Sequence, residues 1–447
     1  MEKVRSSALL DVAATLEWLG GVRLADHSAV ETRARWLLLD TLACIASGFR
    51  AAEPMSYAGR LAAQMPGPVT WPGSRVGLNA VAAANVAPMA ACWFEACEGS
   101  ERAHGRPGLH AVPVAAALGV QRGATLGDVL EASIWGYEIG ARAGEAMRIR
   151  AGLHVDGTWG ALAAVAAAGR ISELDNTLCL EALATAACQL QASLYAPVRV
   201  GMTARNTYAG HAATQSILFV DAVAAGIRAP LDVFEEAACQ LGSGTVPAGG
   251  WPWCPPGEFL ILQGYLKPYA GVRHAHYAVE AARRWHAAHG GRTGDIRALV
   301  LETYPEAAVY CGIRAPTLPL QAQFSQSYAT AYALLRGDLG PEAYRTEALA
   351  HPELRRLESL IELRTDPIRQ GRGATLWVAG DAGEETFVVD GVRGDAAMPF
   401  DEAAVRAKAM RYLAPPLAET DAHRLIEYVL NAPLAEPFLL NPGEEWR

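Results

Sequence analysis

The stretch Trp251-Pro252-Trp253-Cys254-Pro255-Pro256-Gly257 divides the chain. Its prolines fix φ and remove backbone donors, so neither a helix nor a strand continues through it. Before it, apolar residues recur with the 3.6-residue period of a helix. Ser7 to Leu19 carries Leu9, Leu10, Val12, Ala13, Leu16 and Leu19 on one stripe, and Ser28 to Ser47 carries Trp36, Leu37, Leu39, Leu42 and Ile45. Thr125-Leu126-Gly127-Asp128 has the spacing of a capping box and predicts a helix over 129–147. The runs Gly157 to Gly169, Leu178 to Leu194 and Ala212 to Ala225 are rich in Ala and Gly. Gly costs helix propensity, and close helix contacts are the expected compensation.

Beyond the proline-rich stretch the period changes. Asp295 to Thr303 alternates as a strand, and Ala374 to Ala379 with Glu385 to Val392 reads as a hairpin across Gly380-Asp381-Ala382-Gly383. Between them Gln323 to Leu335 is predicted helical, and from Asp401 helical spacing returns through Leu413 and then Asp421 to Leu430. The predicted fold is therefore mainly α. A large all-helical domain takes residues 1–265 and the tail 401–447, and a smaller α+β lid domain is inserted over 266–400.

Length and composition agree with that division. A chain of 447 residues exceeds one ordinary domain and buries a large core. Although 51% of residues are hydrophobic, no stretch approaches the about 18 uninterrupted apolar residues of a membrane span, and Met1 to Arg5 does not lead into a signal-peptide core. A cytoplasmic protein without membrane partners is expected. Eight cysteines without a C-x-x-C pair fit reduced thiols better than a disulfide framework or a zinc site. A net charge of −9 argues against nucleic acid, whose binding needs an extended basic face. A small anion needs only a local cluster of positive groups. No G-x-G-x-x-G after a strand, G-x-x-x-x-G-K-[ST] or G-x-S-x-G is present, which removes support for nucleotide or serine-nucleophile chemistry.

Four segments combine Gly or Pro with histidine or a positive side chain. Phe94 to His110 brings Cys97, Glu98, His104 and Arg106 to the approach of a helix predicted over 112–120. Positive groups and free N–H groups at a helix start suit a carboxylate, and a polar loop between helices fits the same residues. His154-Val155-Asp156-Gly157-Thr158-Trp159-Gly160 places a histidine before a Gly-Thr helix start, as a general acid or base or as a structural residue. In Met202 to His211, Arg205 offers a planar fork for a carboxylate or for a surface salt bridge. Tyr265 to His276 gathers Lys267, Arg273, His274 and His276. No metal is expected at this His-x-His pair, because Lys and Arg neighbours repel a cation and no carboxylate or thiolate stands at ligand spacing.

Taken in order with Arg35 to Cys44 and Leu318 to Ala329, these segments resemble the MmgE/PrpD family, which includes 2-methylcitrate dehydratase, cis-aconitate decarboxylase and iminodisuccinate epimerase. The resemblance implies a homodimer of subunits with a helical domain and a lid, and chemistry without a cofactor on small di- or tricarboxylates. It implies His154 as the active-site histidine, Arg205 as the basic Lys/Arg that holds substrate carboxylate, Lys267 as the lysine at the domain junction and Tyr328 as a lid tyrosine reaching the cleft. Where the family commonly has an Asp in an acidic motif and a His-Pro pair, this chain has Cys97 beside Glu98 and Arg106-Pro107, with His104 two residues away. Where some members have a histidine after the lysine, this chain has Val272, leaving His274 or His276 to serve.

The expectation is a hydro-lyase for a small polycarboxylate. His154, Lys267, Tyr328 and His104 are its candidate catalytic residues, and Arg205, Arg106, Arg273, His274, Cys97 and Glu98 its candidate binding residues. An epimerase, a decarboxylase or an inactive carboxylate-binding relative is the alternative.

Overall fold

A computed structural model describes residues 7–242, 252–381 and 383–442. The N-terminal Met1 to Arg5, Trp251 of the proline-rich stretch and Ala382 of the expected hairpin turn lie outside them.

The chain is mainly helical up to the proline-rich stretch, as its periodicity requires. Ser7–Gly20 and Ser28–Gly48 form the first long helices, and their buried faces hold Leu9, Val12, Leu16 and Leu19 and then Leu37, Leu39, Leu42 and Ile45 of the predicted stripes, while Leu10 is exposed and Ala13 and Trp36 are half-buried. Thr125 and Asp128 close a reciprocal capping box at the start of Leu126–Ala146. The helix Pro107–Arg122 begins earlier than the apolar spacing suggests, because Pro107 occupies its first turn, where a missing N–H costs nothing.

Pro107–Arg122, Leu126–Ala146 and Gly160–Ile171 pack on one another through small residues. A Cβ at Gly136 would lie 2.5 Å from Ala111 Cβ and 2.6 Å from the Ala163 carbonyl oxygen, and one at Gly140 would lie 2.6 Å from Ala163 Cβ. The glycines that weaken these helices locally thus permit backbone approach that no larger residue allows.

The helix expected over Leu178 to Leu194 is shorter. It runs Asn176–Ala187 behind the Asp175 N-cap, whose side chain accepts from the Leu178 N–H at 2.8 Å. The residues after it pair with another segment instead. His154 N–H donates to the Ser193 carbonyl at 2.7 Å, and Thr158 Oγ1 donates to the Gln191 carbonyl at 2.9 Å.

A four-stranded sheet occupies the later segment in the order β2-β1-β3-β4: β1 is Ile296–Thr303, β2 Ile361–Thr365, β3 Ala374–Gly380 and β4 Gly383–Val389. The hairpin of β3 and β4 is the predicted one, although β4 ends before Val392. Strand β2 was not foreseen. It follows the helix Pro352–Leu360 without a break and pairs parallel to β1, Leu299 opposite Ile361. The helices His276–His289 and Pro352–Leu360 pack on this sheet, and Gln326–Arg336 packs on both of them.

The tail helices Glu402–Leu413 and Glu419–Asn431 return to Ser28–Gly48. Arg35 donates to the carbonyls of Val429 and Ala432 at 2.9 Å each, and Lys408 donates to the Ala96 carbonyl at 2.8 Å. No helix of the described residues is long and apolar enough to cross a membrane.

Small-residue packing predicts opposite outcomes for two like substitutions. Gly136→Ala should cost about 2 kcal/mol or more through overpacking. Gly59→Ala has nothing within 4 Å of the new methyl group in the helix Ala52–Ala62, and should be neutral or gain up to about 1 kcal/mol in propensity. Denaturant midpoints of the two variants check the pair, and equal shifts would contradict it.

Candidate active site

The loop between Ala80–Ala91 and Pro107–Arg122 carries Glu95, flanked by Phe94 and Ala96. Its backbone has φ +53°, an uncommon conformation for a residue with a side chain, and the carboxylate is buried. Three cations from distant segments converge on it. Arg106 Nη1 lies 2.8 Å and Arg205 Nη1 2.5 Å from Glu95 Oε1, while Lys267 Nζ lies 3.3 Å from Oε2 and donates to the Glu95 carbonyl at 2.7 Å. Arg106 also pairs with Asp156, and Arg205 Nη2 is 3.6 Å from the same carboxylate.

His154 joins the cluster on the Asp156 side. Its Nδ1 accepts the Asp156 N–H at 3.1 Å and its Nε2 is 3.5 Å from Arg205 Nη2. The ring stacks on Tyr195 at 5.8 Å. Buried His110 braces this loop, its Nε2 accepting the Gly157 N–H at 3.2 Å and its Nδ1 lying 3.0 Å from the Arg106 carbonyl oxygen.

Burial raises the carboxyl groups of Glu95 and Asp156, but their cationic neighbours outweigh it and hold both well below the usual range. Burial lowers Lys267, and Glu95 offsets part of that. Burial, then Arg205 and Arg106, push His154 down to about 4 against the upward pull of Asp156, so its imidazole is neutral at pH 7.

The other expected residues are placed differently. Cys97 is buried with its Sγ 3.5 Å from Arg106 Nη1, and burial pushes its thiol up. Glu98 turns to the helix start, where Oε1 accepts the Leu109 N–H at 3.1 Å, so a carboxylate of the chain itself takes a donor expected to serve a ligand. His104 is exposed and contacts Arg148 rather than Glu95. Arg273 is committed to Asp395 and to the rings of Tyr265 and Tyr277. His274 Nδ1 lies 2.7 Å from the Tyr304 hydroxyl, and His276 Nε2 lies 3.3 Å from the Gly271 carbonyl oxygen, so the His-x-His pair does not converge. Tyr328 donates to the Ala343 carbonyl at 2.5 Å and makes no hydrogen bond or ring contact with the cluster among the described residues.

Segments beyond residue 266 still contribute. The Phe324 ring lies 5.7 Å from the Arg205 guanidinium. Tyr344 follows the carbonyl that Tyr328 holds. Its buried hydroxyl has no hydrogen-bond partner among the described residues and abuts Gly271, where a Cβ would come within 2.3 Å and φ is +88°. Lys267 Nζ donates to the Gly271 carbonyl at 3.4 Å, which ties this edge to the cluster.

One family model, the MmgE/PrpD N-terminal domain, matches residues 14–244, and another, the MmgE/PrpD C-terminal domain, matches residues 269–434. The chain belongs to the MmgE/PrpD family. No curated protein matches it. In this MmgE/PrpD chain the N-terminal match supplies Glu95, Arg106, His154, Asp156 and Arg205, the C-terminal match supplies Phe324 and Tyr344, and Lys267 lies between the two.

Glu95, Asp156 and Tyr344 were not singled out from sequence. A carboxylate inside the run Trp93-Phe94-Glu95-Ala96-Cys97 was the available signal for the first, since a buried acid requires a partner.

Glu98 yields a stability prediction. Burial, with Asp40 adding, pushes its carboxyl up to about 7, against the pull of the Leu109 N–H and Arg106. A raised folded pKa means that the folded state holds a proton that the unfolded state gives up between about pH 4.5 and 7, so stability falls as pH rises through that window, by up to about 3 kcal/mol. Glu98→Gln keeps the acceptor for Leu109 and removes the titration. Relative to wild type it should be more stable at pH 8 than at pH 5, and pH-independent differences in urea melts would refute the assignment.

Proposed function

We propose that the chain is a cofactor-independent hydro-lyase for a small di- or tricarboxylate, of the 2-methylcitrate dehydratase kind. Its family includes dehydratases and related enzymes. The observation that carries the reading is the convergence of Arg106, Arg205 and Lys267 beside a neutral imidazole, His154, in a buried site. A substrate carboxylate engages the Arg205 fork, and Lys267 with Arg106 stabilises the enolate-like charge that develops when the adjacent C–H bond breaks. Engagement of Arg205 also relieves its repulsion of His154 and raises the affinity of the imidazole for that proton. The C–H electron pair becomes the new double bond as the C–O bond breaks, and hydroxide leaves as water once protonated. A candidate donor on the later segment is the buried, unpartnered Tyr344 hydroxyl beside Gly271, whose carbonyl Lys267 holds. Tyr328 then acts as a positioning residue through the Ala343 carbonyl, and residues 266–400 act as the lid.

Incubation with a panel of small di- and tricarboxylates in deuterated water, followed by NMR, should show loss of an α-proton signal with at least one member. His154→Asn should slow that exchange by about 100-fold or more. Arg205→Lys should raise KM, because a point charge replaces a bidentate fork. No exchange by the wild-type protein across the panel would overturn the reading. An epimerase reaches the same enolate-like charge by losing the proton and a decarboxylase by losing CO₂, and water loss, CO₂ release or inversion among the products separates them.

A further inference from the structure

One buried ring joins two of the backbone segments that supply the cluster. His110 lies one turn into the helix Pro107–Arg122 and has no exposed surface. A carbonyl oxygen only accepts, so the 3.0 Å contact with the Arg106 carbonyl requires a proton on Nδ1. A backbone N–H only donates, so the 3.2 Å contact with Gly157 requires a lone pair on Nε2. The neutral Nδ1–H tautomer is the species that satisfies both. Burial, with the Arg106 guanidinium adding, lowers the pKa of the ring against the pull of Asp156 and the Arg106 carbonyl, and keeps it neutral at pH 7. The ring is held sterically as well. A Cβ at Gly160 would lie 2.3 Å from Nε2, and the Trp159 ring centroid stands 6.1 Å away.

Both ends of the ring lead to reacting groups. Gly157 is buried at φ +83° and directly follows Asp156, whose own N–H donates to His154 Nδ1 at 3.1 Å. Thr158 Oγ1 donates to the His154 carbonyl at 3.0 Å, so the whole turn moves as one piece. At the other end stands the backbone of Arg106, whose guanidinium pairs with Asp156. The imidazole therefore sets the spacing between two segments whose side chains meet in the cluster.

We infer that His110 is a positioning residue for the proposed proton abstraction, holding the Gly157 N–H so that His154 and Asp156 stay in register with Arg106. A side chain without an acceptor at the place of Nε2 leaves a buried N–H unpaired and lets the turn shift. The inference rests on the reading of His154 and Arg106 as reacting groups.

The tautomer is readable in the wild-type protein from the ring nitrogens by ¹⁵N NMR. His110 should carry its proton on Nδ1 and be neutral at pH 7. A proton on Nε2, or a charged ring, would overturn the inference without any variant. Two substitutions then separate the two bonds of the ring. His110→Gln brings an amide oxygen to the place of Nε2 and keeps the acceptor for Gly157, whereas His110→Asn keeps a donor for the local Arg106 carbonyl and is too short to reach Gly157. His110→Asn should slow α-proton exchange at saturating substrate about ten-fold or more with KM within about three-fold, because the displaced groups act in the transition state. His110→Gln should recover most of that rate. Equal losses in both variants, or an undiminished rate in His110→Asn, would refute the positioning role. NMR titration of His154 gives a readout independent of turnover: its imidazole should stay near 4 in His110→Gln and move back toward the ordinary range in His110→Asn. That titration pattern in a protein that exchanges no α-proton would sustain the positioning of His154 and remove the lyase reading.

Discussion

The Glu95 carboxylate is the interaction on which the site depends. Arg106, Arg205 and Lys267 come from segments far apart in the chain, and each would repel the other two at the distances observed. Their common partner reverses that sign. A buried ion pair is weak evidence for stability, but breaking one partner out of it is costly because the remaining charge stays buried. Glu95 therefore acts less as a stabiliser than as the group that dictates where three segments meet. Its left-handed backbone and its carbonyl bond to Lys267 fix the carboxylate from the main-chain side as well.

The helical body gives this polar centre a rigid frame. Gly136 and Gly140 let three helices pack with no room for a further methyl group at either position, and such interiors transmit strain instead of absorbing it. One of those helices, Gly160–Ile171, follows directly on the His154 loop, and another, Pro107–Arg122, begins one residue after Arg106. Side chains held at the ends of such elements are better oriented than side chains on free loops.

The helices were legible because periodicity and caps are local properties. Asp175, Thr125 and Asp401 each accept from a backbone N–H three residues on, and a reader of the sequence sees both partners at once. Strand β2 was not legible, since five residues running on from a helix carry no boundary and their pairing with β1 spans some sixty positions. The same contrast divides the site. Arg106, His154, Arg205 and Lys267 were visible as unusual residues among Gly, Pro and Ala. That Arg106 turns inward while His104, two positions earlier, turns out to Arg148 depends on partners elsewhere in the chain and left no local mark. Glu95 and Asp156 were hidden for that reason: a loop carboxylate looks solvated until the cations that bury it are known.

Arg106 and Asp156 also explain each other. An arginine at 106 without Asp156 would have to share Glu95 with Arg205 and Lys267, and Asp156 without Arg106 would be a buried anion with its nearest cation, Arg205, at 3.6 Å. The pair keeps the interior close to neutral and has a chemical consequence. Both carboxylates are held ionised far below neutral pH, and neither can accept a proton in the working range. Glu98 titrates near neutrality but faces the helix start at Leu109. Within the cluster, His154 is then the neutral titratable group, and Arg205 at 3.5 Å is one of the charges that hold it so.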